Sequence, residues 1–314
     1  MNFILGAGLS GLIAAKILGD KWKVIERLPS AFAATHNALL RFKTRGLQEQ
    51  IPSIILEQVD TIKGVLCDGV ISAAPTIRMN NLYSRKVTGR YELRSIYARF
   101  EHIQTRYVGD LDIAVKLRDG VDIYYGKEVN SICHRTIFFK DGSSIEYDKV
   151  ISTLPMPAML GILKMKSTIQ FDSRPIYVSS FFIENCNLNI TLYVADESNP
   201  VYKFSIIKDC AIVESVDIIS ESDIEKIVSA IGLGGCGEFR HRLINQCQKF
   251  GKIFNTDSRA KKDLIHIMTR DFNVYSLGRF GLWRNIGIDD TVVDIGRIRQ
   301  LMELAPYDFA RSNF

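Results

Sequence analysis

The sequence predicts a two-lobed α/β protein, with a Rossmann-type nucleotide lobe joined to a β-rich (α+β) second lobe. Three observations carry this. A glycine-rich turn, Gly6-Ala7-Gly8-Leu9-Ser10-Gly11, stands between an apolar strand and a helix-patterned segment. A second strand pattern, WKVIE, ends on Glu26, eighteen positions beyond Gly8, which completes a βαβ unit of dinucleotide-binding size. Much further along, residues 162–215 are dominated by strand patterns (YVSSFFI, ITLYVA, YKFSII, CAIVESV) that suit an antiparallel sheet.

Taken in order, residues 2–5 form a short apolar strand, residues 12–18 carry apolar side chains at helical spacing, and residues 22–26 form the second strand. Residues 30–110 mix the polar stretch HNALLRFKTRG, the strand-like VDTIKGVLCDGVIS and a basic, tyrosine-rich region over 83–107; most of this reads as an insertion belonging to the second lobe. Order returns with an alternating strand at 121–125, two or three short strands around a turn at Asp141-Gly142, and an apolar strand at 150–154 closed by Pro155. After the β-rich run, residues 222–231 read as a helix ending at glycines. The last fifty residues give strands at 265–268 and 274–276, a turn at 278–281, and a helix over 289–304 that Asp289 or Asp290 caps. The nucleotide lobe is thus expected from residues 1–50, 110–160 and 265–314, and the substrate lobe from 51–109 and 161–264.

Composition narrows the function classes. The formal charge of +5 suits an anionic ligand, but the excess is spread along the chain rather than gathered into basic blocks, so charge alone does not imply a nucleic-acid partner. The six cysteines are scattered with no CxxC pair or zinc-type His spacing, which predicts reduced thiols and no metal. The N-terminus shows no basic leader followed by a cleavable apolar run, and no apolar run approaches a bilayer span; a cytoplasmic protein without a membrane partner is expected.

Each glycine of GAGLSG has a distinct physical task. Gly6 makes the tight turn, Gly8 lets the backbone approach a pyrophosphate, and Gly11 lets helix and strand pack closely. The helix that opens over Leu9, Ser10 and Gly11 presents free N–H groups and a partial positive charge to phosphate. Glu26 is placed to accept hydrogen bonds from a ribose, which fits FAD or NAD and disfavours the 2′-phosphate of NADP.

Three separated pieces, GAGLSGLIAA with Glu26, EYDKVISTLPMP, and GRFGLWRNIGIDDTVVDIG, resemble the flavoprotein superfamily of amine oxidases and UDP-galactopyranose mutases. The resemblance implies FAD as cofactor. It implies that Val129 touches adenine through its backbone, that Thr153 to Pro155 lie near the cofactor, and that Gly278 and Arg279 sit against the isoalloxazine, where a guanidinium stabilises negative charge on reduced flavin. Asp289 matches an acidic position beside the flavin at a helix N-terminus. Many members carry a GG pair and a basic residue soon after the acidic strand end; here ATHNALLRFKT stands in that place, and Arg27, His36, Asn37 and Arg41 take the corresponding cofactor contacts.

Flavin enzymes place the electron chemistry in the cofactor, so few protein residues need be catalytic. The resemblance implies an oxidoreductase that oxidises a C–N bond of an amine or amino-acid-like substrate, with Lys203 near the flavin and Trp283 walling the substrate site. Lys203 also lies where the mutases carry an arginine for a nucleotide-sugar diphosphate, which makes a nucleotide-sugar isomerase the second reading. Against it, the mutase tyrosine pair is replaced: Trp283, Arg284, Asn285 and Ile286 stand at those positions. A third reading is a non-catalytic flavoprotein that binds nucleotide or nucleic acid. The segments NLYSRKVTGRYELRSIYARF and HNALLRFK are similar to segments of flavoproteins encoded by bacteriophages, some of which act on amino-substituted thymines, so a modified nucleotide and DNA join the candidate partners. The oligomeric state is not readable from the sequence.

Overall fold

A computed structural model describes residues 1–31, 40–91, 96, 100–110, 112–183, 185–233, 246–254 and 257–304. The short apolar strands of the nucleotide lobe line up in parallel in the order Val274–Ser276, Lys149–Ser152, Asn2–Leu5, Trp22–Ile25, Ile123–Tyr124. Their sequences (VYS, KVIS, NFIL, WKVI) are apolar at nearly every position because both faces are covered. Ile4, Val24 and Ile151 pack beneath the helices Leu9–Leu18 and Ile288–Leu304. Phe3, Leu5 and Val150 point the other way, against the helices Met156–Ile162 and Ser258–Phe272 and a three-stranded antiparallel meander. The meander is Val129–Cys133, Thr136–Phe139 and Ser144–Glu146.

The second lobe is a nine-stranded mixed sheet. Its order runs Gln246–Ile253, Ser173–Phe182, Cys210–Ser215, Val201–Lys208, Leu188–Val194, Leu56–Cys67, Ile103–Gly109, Arg41–Phe42, with Val70–Ser72 folded back as a hairpin on Leu56–Cys67. One pair, Leu188–Val194 with Leu56–Cys67, is parallel; the others are antiparallel. The helix Ile77–Thr88 covers part of one face, and the helix Glu221–Ala230 covers part of the other.

Several sequence expectations need correction. Residues 265–268 are not a strand but the middle of Ser258–Phe272, a helix capped by Asp257, whose carboxylate accepts the Arg259 and Ala260 N–H groups. The run IHIM reads as apolar, yet the buried positions are Lys261, Leu264 and Met268, at the 3 and 4 spacing of one helix face. The nucleotide lobe therefore begins before residue 265. The strand Arg41–Phe42 pairs with Ile103–Gly109 in the large sheet, although Leu47, five residues on, packs in the nucleotide-lobe core; the chain crosses between lobes inside 1–50. The basic, tyrosine-rich stretch begins inside the helix Ile77–Thr88, opened by Thr76, whose hydroxyl accepts the Met79 N–H, and closed by Gly89 at φ +74°.

Candidate functional site

The glycine turn has the geometry its sequence requires. Gly6 sits at φ +100°, and its N–H donates to the Ile25 carbonyl at 2.9 Å, tying the first strand to the second. A Cβ at Gly11 would lie 1.9 Å from the Gly6 carbonyl oxygen, whereas one at Gly8 would meet nothing within 4 Å. Gly8 is the N-cap of Leu9–Leu18, with no side chain capping it, so the N–H groups of Leu9, Ser10 and Gly11 face a space that a pyrophosphate suits. Glu26 accepts the Ala7 N–H at 2.7 Å on one carboxylate oxygen and the Leu28 N–H at 2.9 Å on the other. Each oxygen keeps a second lone pair for a ribose hydroxyl. Arg27 beside it is exposed, and the Glu26 carbonyl accepts the Lys127 N–H at 3.0 Å, which brings the half-buried Val129 to this end of the sheet.

The middle and C-terminal segments converge on the same turn. The Thr153 hydroxyl donates to the Leu5 carbonyl at 2.8 Å. Gly278, at φ +78°, lies so close to the turn that a Cβ would fall 2.5 Å from Ser10 Oγ, and one at Gly281 would fall 2.7 Å from the Ser152 carbonyl oxygen. Three stretches separated by more than a hundred residues thus meet beyond the carboxyl ends of parallel strands, where α/β sheets bind ligands.

Two expected residues are placed differently. The Asp289 carboxylate accepts the Lys43 N–H at 2.9 Å, the Thr44 N–H at 2.9 Å and the Thr44 hydroxyl at 3.0 Å; it anchors the chain behind Arg41–Phe42, while Asp290 accepts the Gly287 N–H at 2.9 Å and closes the helix start. Trp283 is 1% exposed and packs edge-on against Phe171 and Phe250, each at 5.5 Å. It is a core residue rather than a wall of a substrate site. His36 and Asn37 lie outside the described residues.

Arg41, Lys203 and Arg279, singled out separately in the sequence, are brought to one place. Lys203 and Glu214 are cross-strand partners, with Nζ 2.5 Å from Oε1, and the Tyr202 hydroxyl donates to the other carboxylate oxygen at 2.6 Å. Lys252 Nζ lies 4.3 Å from the Tyr202 ring centroid. Arg279 donates from Nη2 to the Gly251 carbonyl at 2.5 Å, while its buried Nε has no partner among the described residues. Arg41 donates to the Thr191 hydroxyl at 2.8 Å, and Lys63 and Arg106 both donate to the neutral Gln104 side-chain oxygen. Arg41, Lys203, Lys252 and Arg279 therefore gather about one carboxylate, Glu214, while Lys63 and Arg106 lie beside them with Glu101 beyond Gln104 and Asp289 acting on Arg106.

The electrostatics follow from that imbalance. Burial, Arg106, Arg41 and Lys203 lower the Lys63 pKa to about 8, against Glu101. Burial, Lys203 and Arg279 lower Lys252 to about 8, against Glu214. Burial pushes the Glu214 carboxyl up, but Lys203 and Lys252 outweigh it and hold the group well below the usual carboxylate range. Burial also lowers Arg279. Sequence reading missed Lys63, Arg106, Lys252 and Glu214, which sit on four separate strands. The available signal was a cation or acid inside an otherwise apolar strand pattern, as in TIKGV and IVES.

The helix Ile77–Thr88, which opens the basic, tyrosine-rich stretch, is organised otherwise. Arg78 pairs with Asp68 at 3.1 Å, Arg85 with Glu197 at 2.6 Å, and Lys86 donates to the Val194 and Val201 carbonyls. Among the described residues, Cys67, Asp68 and Asp196 come within metal-ligand reach of one another, but Arg78 and the Asp68 N–H already occupy the carboxylates. No helix among the described residues is long and apolar enough to cross a membrane.

Fold and site together define an α/β protein with a Rossmann-like parallel sheet and a mixed β-sheet lobe whose cationic face meets the glycine turn through Arg279. The whole chain has the architecture of solved flavoenzymes. It matches reduced UDP-galactopyranose mutase with TM-score 0.66 at 14% identity, covering 99% of this chain and 97% of that one. It matches an oxidoreductase from Methanosarcina mazei with TM-score 0.56 at 13% identity, covering 95% and 99%, and PqsL, a probable FAD-dependent monooxygenase from Pseudomonas aeruginosa, with TM-score 0.53 at 15% identity, covering 97% and 86%. No protein-family model and no curated protein matches the sequence.

Proposed function

We propose that this chain binds FAD and is a flavin-dependent oxidoreductase whose substrate carries anionic groups. The observation that carries the reading is Arg279. Its backbone stands in the Gly278 turn against Ser10, and its guanidinium enters the cation set around Glu214, so the nucleotide turn and the charged sheet face belong to one site. The residues fit the cofactor. The N–H groups of Leu9 to Gly11 would take the pyrophosphate, Glu26 the ribose, Val129 the adenine, and the unpartnered Arg279 Nε is a donor at the ring side. FAD supplies hydride acceptance when bound.

The protein's own contribution is binding and charge. Lys203, held by Glu214, exchanges a proton with the substrate, and Lys203, Lys252 and Arg279 draw an anion to the ring side. The same charge acts against a free protonated amine: two like charges about 4 Å apart repel by about 4 kcal/mol at the effective dielectric of a protein surface. Oxidation of a C–N bond therefore suits an amine carried on a phosphate-bearing scaffold, such as an amino-modified nucleotide.

Isomerisation of a nucleotide sugar is the second reading, favoured by the same cations, which suit a diphosphate. The purified protein is expected to take up FAD with the flavin spectrum, and UDP is expected to perturb that spectrum. A protein that stays colourless after FAD is added would overturn the reading. Production of a furanose from UDP-galactopyranose by the dithionite-reduced protein, with no net flavin oxidation, would decide for the isomerase.

A further inference from the structure

The cations on the sheet divide into two groups. Lys203, Lys252 and Arg279 cluster with Glu214 on the side of the nucleotide turn. Arg41, Lys63 and Arg106 lie on three neighbouring strands further along the same face: Arg41 is the register partner of Val108, and Arg106 that of Val59, two residues from Thr61 and four from Lys63. Among the described residues none of these three forms an ion pair. Lys63 and Arg106 share the neutral Gln104 oxygen, and Arg41 has the Thr191 hydroxyl. The acids that act on them do so without an ion pair among the described residues: Glu101, which accepts the Gln104 amide at 2.8 Å, on Lys63 and Arg106, Asp289 on Arg106, and Glu214 on Arg41.

Three half-buried cations that make no ion pair among the described residues repel one another and are incompletely hydrated, a combination that a folded chain keeps only against a cost in stability. It is relieved when an anion binds between them, and two donor types, guanidinium and ammonium, are present for phosphate oxygens. Lys63 is two strands from Lys203 in the sheet order, roughly 10 Å at the ordinary strand spacing.

We propose that Arg41, Lys63 and Arg106 form a second anion subsite, separate from the one beside the nucleotide turn, so that the substrate carries at least two phosphate-class groups. The inference rests on the reading of the inner cations as a substrate site. It distinguishes a substrate whose phosphate-class groups reach both cation groups from one whose anionic part the inner cations alone would hold.

The test is calorimetric titration of the FAD-loaded protein with orthophosphate and with tripolyphosphate at about 0.1 M salt, where screening is moderate. Tripolyphosphate is expected to bind at least about 10-fold more tightly than orthophosphate. Lys63→Gln and Arg106→Gln are each expected to weaken tripolyphosphate about 5-fold to 10-fold, the loss of one charge-assisted contact. Both variants should retain the flavin spectrum. Glu101→Gln acts in the opposite direction and tightens tripolyphosphate, so a gain as well as a loss supports the subsite. Tripolyphosphate affinities within about twofold of wild type in both Lys63→Gln and Arg106→Gln, with weakening in Lys203→Gln and Lys252→Gln, overturn the second subsite and leave the first. Failure of either probe to bind the wild-type protein overturns both.

Discussion

At the glycine turn, an anion is to be met by backbone N–H groups and hardly a charged side chain; across the large sheet it is to be met by six cationic side chains and hardly any free backbone donor. The first device is local. Gly6, Gly8 and Gly11 lie within six residues, and their spacing alone sets the turn, the open approach and the helix contact. The second device is assembled from strands between residues 41 and 253 and from the Arg279 turn. Backbone recognition tolerates almost no change in shape, whereas side-chain recognition tolerates shape change but responds to charge, pH and salt.

That contrast can be broken most severely at Gly11. Gly11→Val drives a side chain into the Gly6 carbonyl; a loss of about 3 kcal/mol in stability is expected, with no flavin spectrum after FAD is added. Urea unfolding and absorbance check it, and a stable, yellow Gly11→Val protein would mean the turn is not used as described. Next in size is Glu26→Gln, which removes the carboxylate that organises Ala7 and Leu28. FAD affinity is expected to fall about 10- to 100-fold, the range for a hydrogen bond to a charged group, measured by fluorescence titration, with little change in anion binding to the sheet face.

The sheet face, by contrast, is expected to respond to pH. Lys63 and Lys252, held near 8 by burial and by neighbouring cations, lose charge as pH rises through that value, so tripolyphosphate affinity should fall severalfold between neutral pH and about pH 9. Titrations in buffers of different ionisation enthalpy should show proton uptake on binding near pH 8. For the anion-free protein the sign is opposite to the usual lysine case. Both folded-state values lie below the unfolded one, so the unfolded chain holds more protons between about 8 and 10.5, and stability rises with pH across that window.

Glu214→Gln sharpens the comparison further. It removes the one carboxylate among the inner cations, and about 2 kcal/mol of stability should be lost as Lys203 and Tyr202 lose their partner, while anion affinity rises about threefold because the local potential becomes more positive. A fall in both would argue that Glu214 itself contacts the anion through a proton. The smallest effect is expected at Arg85→Ala, whose ion pair with Glu197 is exposed: no resolvable shift in the urea unfolding midpoint, and no change in tripolyphosphate affinity, since this cation belongs to neither region.

Much of the nucleotide lobe was legible residue by residue. The strands at 2–5 and 274–276, the helix following Gly8, and the meander around Asp141-Gly142 stand where the patterns put them. The helix Ser258–Phe272 was not legible, because four adjacent apolar-looking residues resemble a short buried strand, and only the burial of Lys261, Leu264 and Met268 separates the two readings. Within the site, the sequence singles out Lys203 and Arg279 with solitary roles, Trp283 as a wall of the substrate site and Asp289 as a cofactor contact. Phe171 and Phe250 pack on Trp283, which is core, and the Asp289 carboxylate holds the Lys43 and Thr44 N–H groups, contacts that no local pattern shows.

By itself the sequence determined the class of fold, the glycine turn and the acid that closes on it, because each depends on contacts within about thirty residues, where spacing is geometry. Only the tertiary structure decided that Arg41, Lys203, Lys252 and Arg279 meet at Glu214 and that Lys63 and Arg106 lie beside them. Strand order and register set that arrangement, and they are fixed by which buried faces pack together over the whole chain rather than by any local pattern.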